Sequence, residues 1–213
     1  LAKGKGSIGI AAAWGFEEIG KKQLDDFFWW RNSAIPSERL IYMFERQDYQ
    51  PTQARLSSLA KLGINSIALD PKYSGDAPES MIRHNALSLK EGLKRFYSYS
   101  KIIFRGGFGN SFSRSVCSWV IWQLYHSDEL AKIYKEANLK ALFHFQEAGP
   151  ESITLATLAS NTVRIGTHWS CLNVPHVSSL RCHEVYFVWG THDLKIVLDS
   201  ESPLKNLLIS GSF

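Results

Sequence analysis

RLIYMFERQDYQPTQARLSSLAKLGINSIALD, residues 39–70, decides the fold class. Residues 39–45 are a run of large apolar and aromatic side chains of strand length. PTQARLSSLAKLG (51–63) then has helical spacing, with Pro51 near its first turn and Gly63 as its stop. INSIALD (64–70) is a second apolar run, closed by Pro71. Strand, helix and strand in so short a span predict a parallel pair joined by a right-handed crossover.

Working outward, SIGIAAA (7–13) is small and apolar, like a strand buried on both faces, and QLDDFFWWR (23–31) follows at helical spacing. The middle of the chain reads as three helices: 82–99, 115–125 and 127–137, the last with Ser127, Glu129 and Glu136 marking a capped start. Alternation then resumes, with strand LKALFHFQ (139–146), helix ESITLATLASN (151–161), and strands VRIGTHW (163–169) and EVYFVWG (184–190). KNLLISGS (205–212) reads as one more strand with a glycine turn after it. The expected fold is α/β, a Rossmann-like parallel sheet with flanking helices.

Composition narrows the function classes. The chain has 213 residues, of which 45% are hydrophobic and 21% charged, as in a folded globular protein. A net charge of +4 fits an anionic ligand or a membrane surface but is too mild for a nucleic-acid binder. No apolar run approaches the roughly 18 residues of a spanning helix, and no signal peptide follows Leu1. A cytoplasmic location is expected, which three cysteines at no disulfide spacing also suit.

Two motif matches carry little. GKGSIG (4–9) has the G-x-G-x-x-G spacing but precedes a strand, whereas a dinucleotide fingerprint must follow one and open a helix. FRGGFGNSFS (104–113), between apolar KIIF and a helix, is either a connector or a phosphate-approaching loop with Arg105 or Arg114. His168, Cys171, His176, Cys182 and His183 crowd together, but without the CxxC-like knuckles of a structural zinc site. No metal is expected.

The candidate site comes from strand ends. Ligands of open parallel sheets bind beyond the carboxyl ends of the strands. The first strand runs into Trp14 and Glu17, the second into Arg46 and Asp48, and the third ends at Asp70. The next two end in His144, Gln146 and Glu147, and in His168 and Trp169. Carboxylates, imidazoles, an arginine and indoles suit a polyhydroxylated ligand, because indoles stack on sugar faces while polar groups bond hydroxyls. Glu147, next to a helix start, suits a general base toward an acceptor hydroxyl, with Asp48 as the other candidate. FFWWR (27–31), beside Lys21 and Lys22, is a candidate peripheral membrane contact.

The succession IGIAAAWGFEEI, RLIYMFERQDYQPT, LKALFHFQEAGPES, VRIGTHWSC and RCHEVYFVWGTHD resembles the N-terminal half of bacterial surface-carbohydrate glycosyltransferases of GT-B architecture, enzymes of O-antigen or capsule assembly related to some Kdo transferases. The resemblance implies that residues 1–200 form the acceptor-side Rossmann-like domain. It also implies that 201–213 begin a truncated nucleotide-sugar domain, so that this fragment alone would be inactive. The expected activity is metal-independent transfer from a nucleotide-sugar, a CMP-linked sugar being one candidate, with the donor held mainly by the missing domain. The acceptor would be a glycan or lipid-linked glycan of a growing surface polysaccharide or lipopolysaccharide, handled at the inner face of the cytoplasmic membrane. No cofactor and no nucleic acid are implied. On this view Glu147 or Asp48 is catalytic, and His144, Gln146, His168, Trp169, Arg46, Trp14 and Glu17 bind substrate. The alternative is a flavodoxin-like sugar or nucleotide binding module without catalysis.

Overall fold

The computed structural model describes residues 6–11, 33–44, 52–68, 81–83, 89–106, 108–144, 151–167 and 183–211. Its strands are β1 (Ser7–Ala11), β2 (Leu40–Phe44), β3 (Asn65–Ala68), β4 (Met81–Arg83), β5 (Leu139–His144), β6 (Val163–Thr167), β7 (Val185–Val188) and β8 (Asn206–Ile209). The helices are α1 (Gln53–Lys61), α2 (Leu89–Gly106), α3 (Ser111–Glu136), α4 (Glu151–Ser160) and α5 (Thr191–Asp199), and a 3-10 turn at Ser37–Arg39 leads into β2.

All eight strands join one sheet in the order β4-β3-β2-β1-β5-β6-β7-β8, and every pairing is parallel. This is the Rossmann-like order 3-2-1-4-5-6 with one strand added at each edge, not the 2-1-3-4-5 order of flavodoxin. The chain winds outward from β1 through β4, then returns to the middle and winds the other way from β5. Right-handed crossovers in both directions must put the two sets of helices on opposite faces, and the packing shows it. Arg55 of α1 reaches Tyr42 on one face of β2. Ile41 and Met43, which alternate with Tyr42, join Ile133 of α3 and Ile153 and Ala156 of α4 in a single core. Tyr186 and Val188 of β7 form a second core with Ile196 and Val197 of α5.

Local chemistry explains the elements. All five residues of β2 are buried, as expected of a strand covered on both faces. Thr52 caps α1 by accepting the Arg55 N–H at 3.2 Å, and Gly63 ends it with φ 72°, a conformation glycine adopts without strain. β5 departs from simple alternation. Ser7 pairs with Leu139 but Ile8 with Ala141, so the strand bulges at Lys140. The extra residue turns Leu139 and Leu142 to the same face, and both enter the core.

Several expectations are corrected. The stretch 115–137 is one helix, α3, because Ser127 does not cap a new one: its hydroxyl donates to the Leu124 carbonyl within the continuing helix at 2.9 Å. KIIF belongs to the last turns of α2, residues 81–83 are a strand, and α5 fills the interval between the last two strands. The strand expected over the last residues forms as β8 and pairs with β7 at the edge of this sheet. The helix expected over 23–31 lies outside the described residues.

Candidate functional site

In an open parallel sheet the crevice forms where neighbouring connections depart to opposite faces. Here that point lies between β1 and β5. Ile10 pairs with Phe143, so the carboxyl ends of the two strands, Ala11 and His144, finish side by side. The five strands whose ends carry the candidate residues, β3, β2, β1, β5 and β6, are contiguous in the sheet and parallel. Their carboxyl ends therefore form one edge.

His144 is the candidate whose position is described. It is the last residue of β5 and is only 2% exposed. Trp14, Glu17, Arg46, Asp48, Gln146, Glu147, His168 and Trp169 lie outside the described residues, as does Asp70; each follows one of the five contiguous strands in the chain.

A second histidine lies near the first. His144 pairs with Gly166 of β6, and Gly166 with Tyr186 of β7, so the three positions face the same side of the sheet. A Cβ on Gly166 would stand 2.4 Å from Nε2 of His183, which means the imidazole lies across the strand where a side chain would otherwise project. His183 is 2% exposed, and its ring leans on Tyr186 with centroids 5.1 Å apart. The sequence placed His183 in a cysteine–histidine crowd; the fold instead sets it beside the His144 row. Of that crowd only His183 is described. The signal available in the sequence was Gly166, a glycine inside an otherwise solid strand, which marks a close approach.

Arg55 is another residue the motifs did not single out. It is buried, donates through Nη2 to the Tyr42 hydroxyl at 2.6 Å, and lies over the Phe44 ring at 5.4 Å. Phe44 is the last residue of β2, so this arginine supports the sheet edge from below. Its spacing of four from Leu59 put it on the apolar stripe of α1, a sign that a charged residue is turned inward.

The start of α4, which follows the HFQEAGP stretch, is held by its neighbour. Gln123 of α3 accepts the Ser152 N–H at 3.1 Å, replacing the side-chain cap that the sequence before α4 lacks. At β6 the Thr167 hydroxyl donates to the Phe187 carbonyl at 3.2 Å, pinning that strand end to β7. The glycine-rich stretch at 104–113 is the turn between two packed helices. Gly106 lies against Cys117, and Asn110 caps α3 by accepting the Ser113 N–H at 2.9 Å. Gly9 sits inside β1, under Met43, Leu139 and Leu142, so this glycine serves strand packing.

No helix among the described residues is long and apolar enough to cross a membrane. No protein-family model matches the chain, and neither does any curated protein or solved structure.

Proposed function

We propose that the chain binds a polyhydroxylated ligand at the β1/β5 edge, as the acceptor-side half of a glycosyltransferase that builds a surface glycan from a nucleotide-sugar. The observation that carries the reading is the reversal of strand order at β1/β5. The two segments that leave these strand ends contain Trp14 and Glu17 in one case, and Gln146 and Glu147 in the other. An indole to stack on a sugar and a carboxylate to take a hydroxyl proton are what acceptor activation needs. Glu147, or in its place Asp48, is the proposed base. Gln146, Arg46, Glu17, Trp14, His168 and Trp169 are the proposed sugar contacts, whereas His144, 2% exposed, is closed to a ligand. A buried histidine, His144, ends β5, the strand that precedes Glu147 in the chain.

A second reading, a sugar- or nucleotide-binding module without catalysis, draws on β8, which extends the same sheet. One experiment separates the two. The protein carrying this chain is incubated with labelled nucleotide-sugars and lipid-linked glycan acceptors, beside its Glu147→Gln variant. Transfer that falls by about 10²-fold or more in the variant supports the transferase with Glu147 as base. Transfer unaffected by the change removes Glu147 from the mechanism. Saturable glycan binding with no transfer favours the binding module.

A further inference from the structure

We propose that the α2–α3 hairpin is a docking surface for an anionic lipid bilayer. The amphipathic pattern of α2 is turned outward relative to ordinary packing. The side of α2 toward α3 carries polar contacts beside Ile102: Glu91 meets Lys132 at 3.4 Å, Arg95 pairs with Glu129, and the Tyr99 hydroxyl donates to Asp128. Glu91, Arg95 and Tyr99 recur every fourth position, on one face. The opposite face is apolar and points outward. Leu89 and Tyr97 are each 82% exposed, Phe104 is 69% and Leu93 is 63%. Helices normally bury the apolar stripe and expose the polar one. Among the described residues of α2 none of the side chains is buried.

The apolar surface continues beyond α2. Phe108, in the turn, is 82% exposed and stacks on Phe104, and Phe112, Val116 and Trp119 carry the stripe along α3. Trp122 lines an open, largely apolar cleft of about 450 Å³ between the two helices. Exposed patches of this kind mark interaction sites.

The occupant follows from charge. Lys90, Lys94, Lys101 and Arg105 are all exposed and recur at helical spacing as a stripe beside the apolar one. The hairpin, residues 89–136, holds eight basic side chains and four acidic ones, an excess of four positive charges that equals the net +4 of the entire chain. An apolar face flanked by lysine and arginine is how a helix lies in the plane of an anionic membrane, with the long cationic side chains reaching the headgroups. A second copy of the chain fits less well, because a two-fold contact through this face brings two such basic stripes together.

The test is flotation of the purified chain with vesicles of phosphatidylcholine, with and without phosphatidylglycerol. Binding to the mixed vesicles only, released by high salt, is expected. Lys94→Gln and Lys101→Gln should each weaken it roughly five-fold, and together roughly thirty-fold. Leu93→Ser and Phe104→Ser should weaken it as well. All four positions are exposed, so a circular-dichroism spectrum matching the parent confirms that folding is intact. Three results overturn the proposal: no flotation with either vesicle, equal flotation with both, or a dimer in sedimentation that Leu93→Ser dissociates without any vesicle binding.

Discussion

Replacing Gly166 by alanine tests the most constrained point near the candidate edge. The new methyl would lie 2.4 Å from Nε2, 2.5 Å from Cδ2 and 3.0 Å from Cε1 of His183. It would therefore push the flat of the ring, not the flexible tip of a long chain. The imidazole is 2% exposed and rests on Tyr186, so it has to move by about 1 Å into packed neighbours. Overpacking of this kind costs about 1–3 kcal/mol. Alanine recovers about 0.4–1 kcal/mol by restricting the unfolded chain, since the backbone of Gly166 lies outside the left-handed region. The net loss should be about 1–2 kcal/mol, or roughly 2–8 °C in Tm for a chain of this size. Urea unfolding followed by circular dichroism measures it. Two further variants make the result specific. Gly92→Ala, where an added Cβ meets nothing within 4 Å, should raise stability by about 0.5–1 kcal/mol. In a His183→Ser background, Gly166→Ala should become neutral or stabilising, a coupling of about 1 kcal/mol or more. If Gly166→Ala costs the same with and without the imidazole, the ring is not what the glycine accommodates.

Gln123→Ala removes the acceptor of the Ser152 N–H and should cost about 1–2 kcal/mol, with faster hydrogen exchange of that amide; unchanged exchange would show that α4 does not depend on this cap. Tyr99 should impose a pH dependence at high pH. Burial raises its phenol above the ordinary value, and the hydrogen bond to Asp128 and that carboxylate's charge add to the effect. Above about pH 10 the unfolded chain loses this proton while the folded one keeps it, so the contribution to stability is complete below that pH and declines as pH rises toward the folded value. The difference in unfolding free energy between the parent and Tyr99→Phe should therefore shrink or reverse above about pH 10, and a difference that stays level across that range would refute the phenol–carboxylate contact.

The parts of the fold that were legible are those where local signals and tertiary packing agree. β2-α1-β3 is one, since Thr52, Gly63 and an unbroken apolar strand all serve in the structure the roles their types suggest. The reading failed where a residue's local role was taken over by a distant partner. Ser127 and Glu129 look like a helix start, but Glu129 pairs with Arg95 on another helix, and α3 runs through. The bulge at Lys140 leaves no mark in the sequence, because it depends on the register against β1. β4 has three residues, a length at which periodicity hardly develops. Of the candidate site the sequence supplied the strand ends and the structure supplied their adjacency. His183 and Arg55 were missed because each is a polar side chain turned inward, a choice set by what packs against it.

The same distinction applies to charge. A chain total of +4 reads as mild, and it argues against a strongly basic partner only if the charge is spread evenly. It is not. The hairpin, residues 89–136, carries four net positive charges, and the remainder of the chain is neutral overall. At physiological ionic strength a charge is felt over about 8 Å, so an approaching surface responds to the local stripe and not to the sum. The stripe lies beside the outward-facing leucine and aromatic side chains of α2, whose inward face is occupied by ion pairs with α3. The sheet edge and the hairpin are thus built on different principles. At the edge, topology brings the carboxyl ends of separate strands together. On the hairpin, one helix keeps its own amphipathic pattern and turns it away from the protein that carries it.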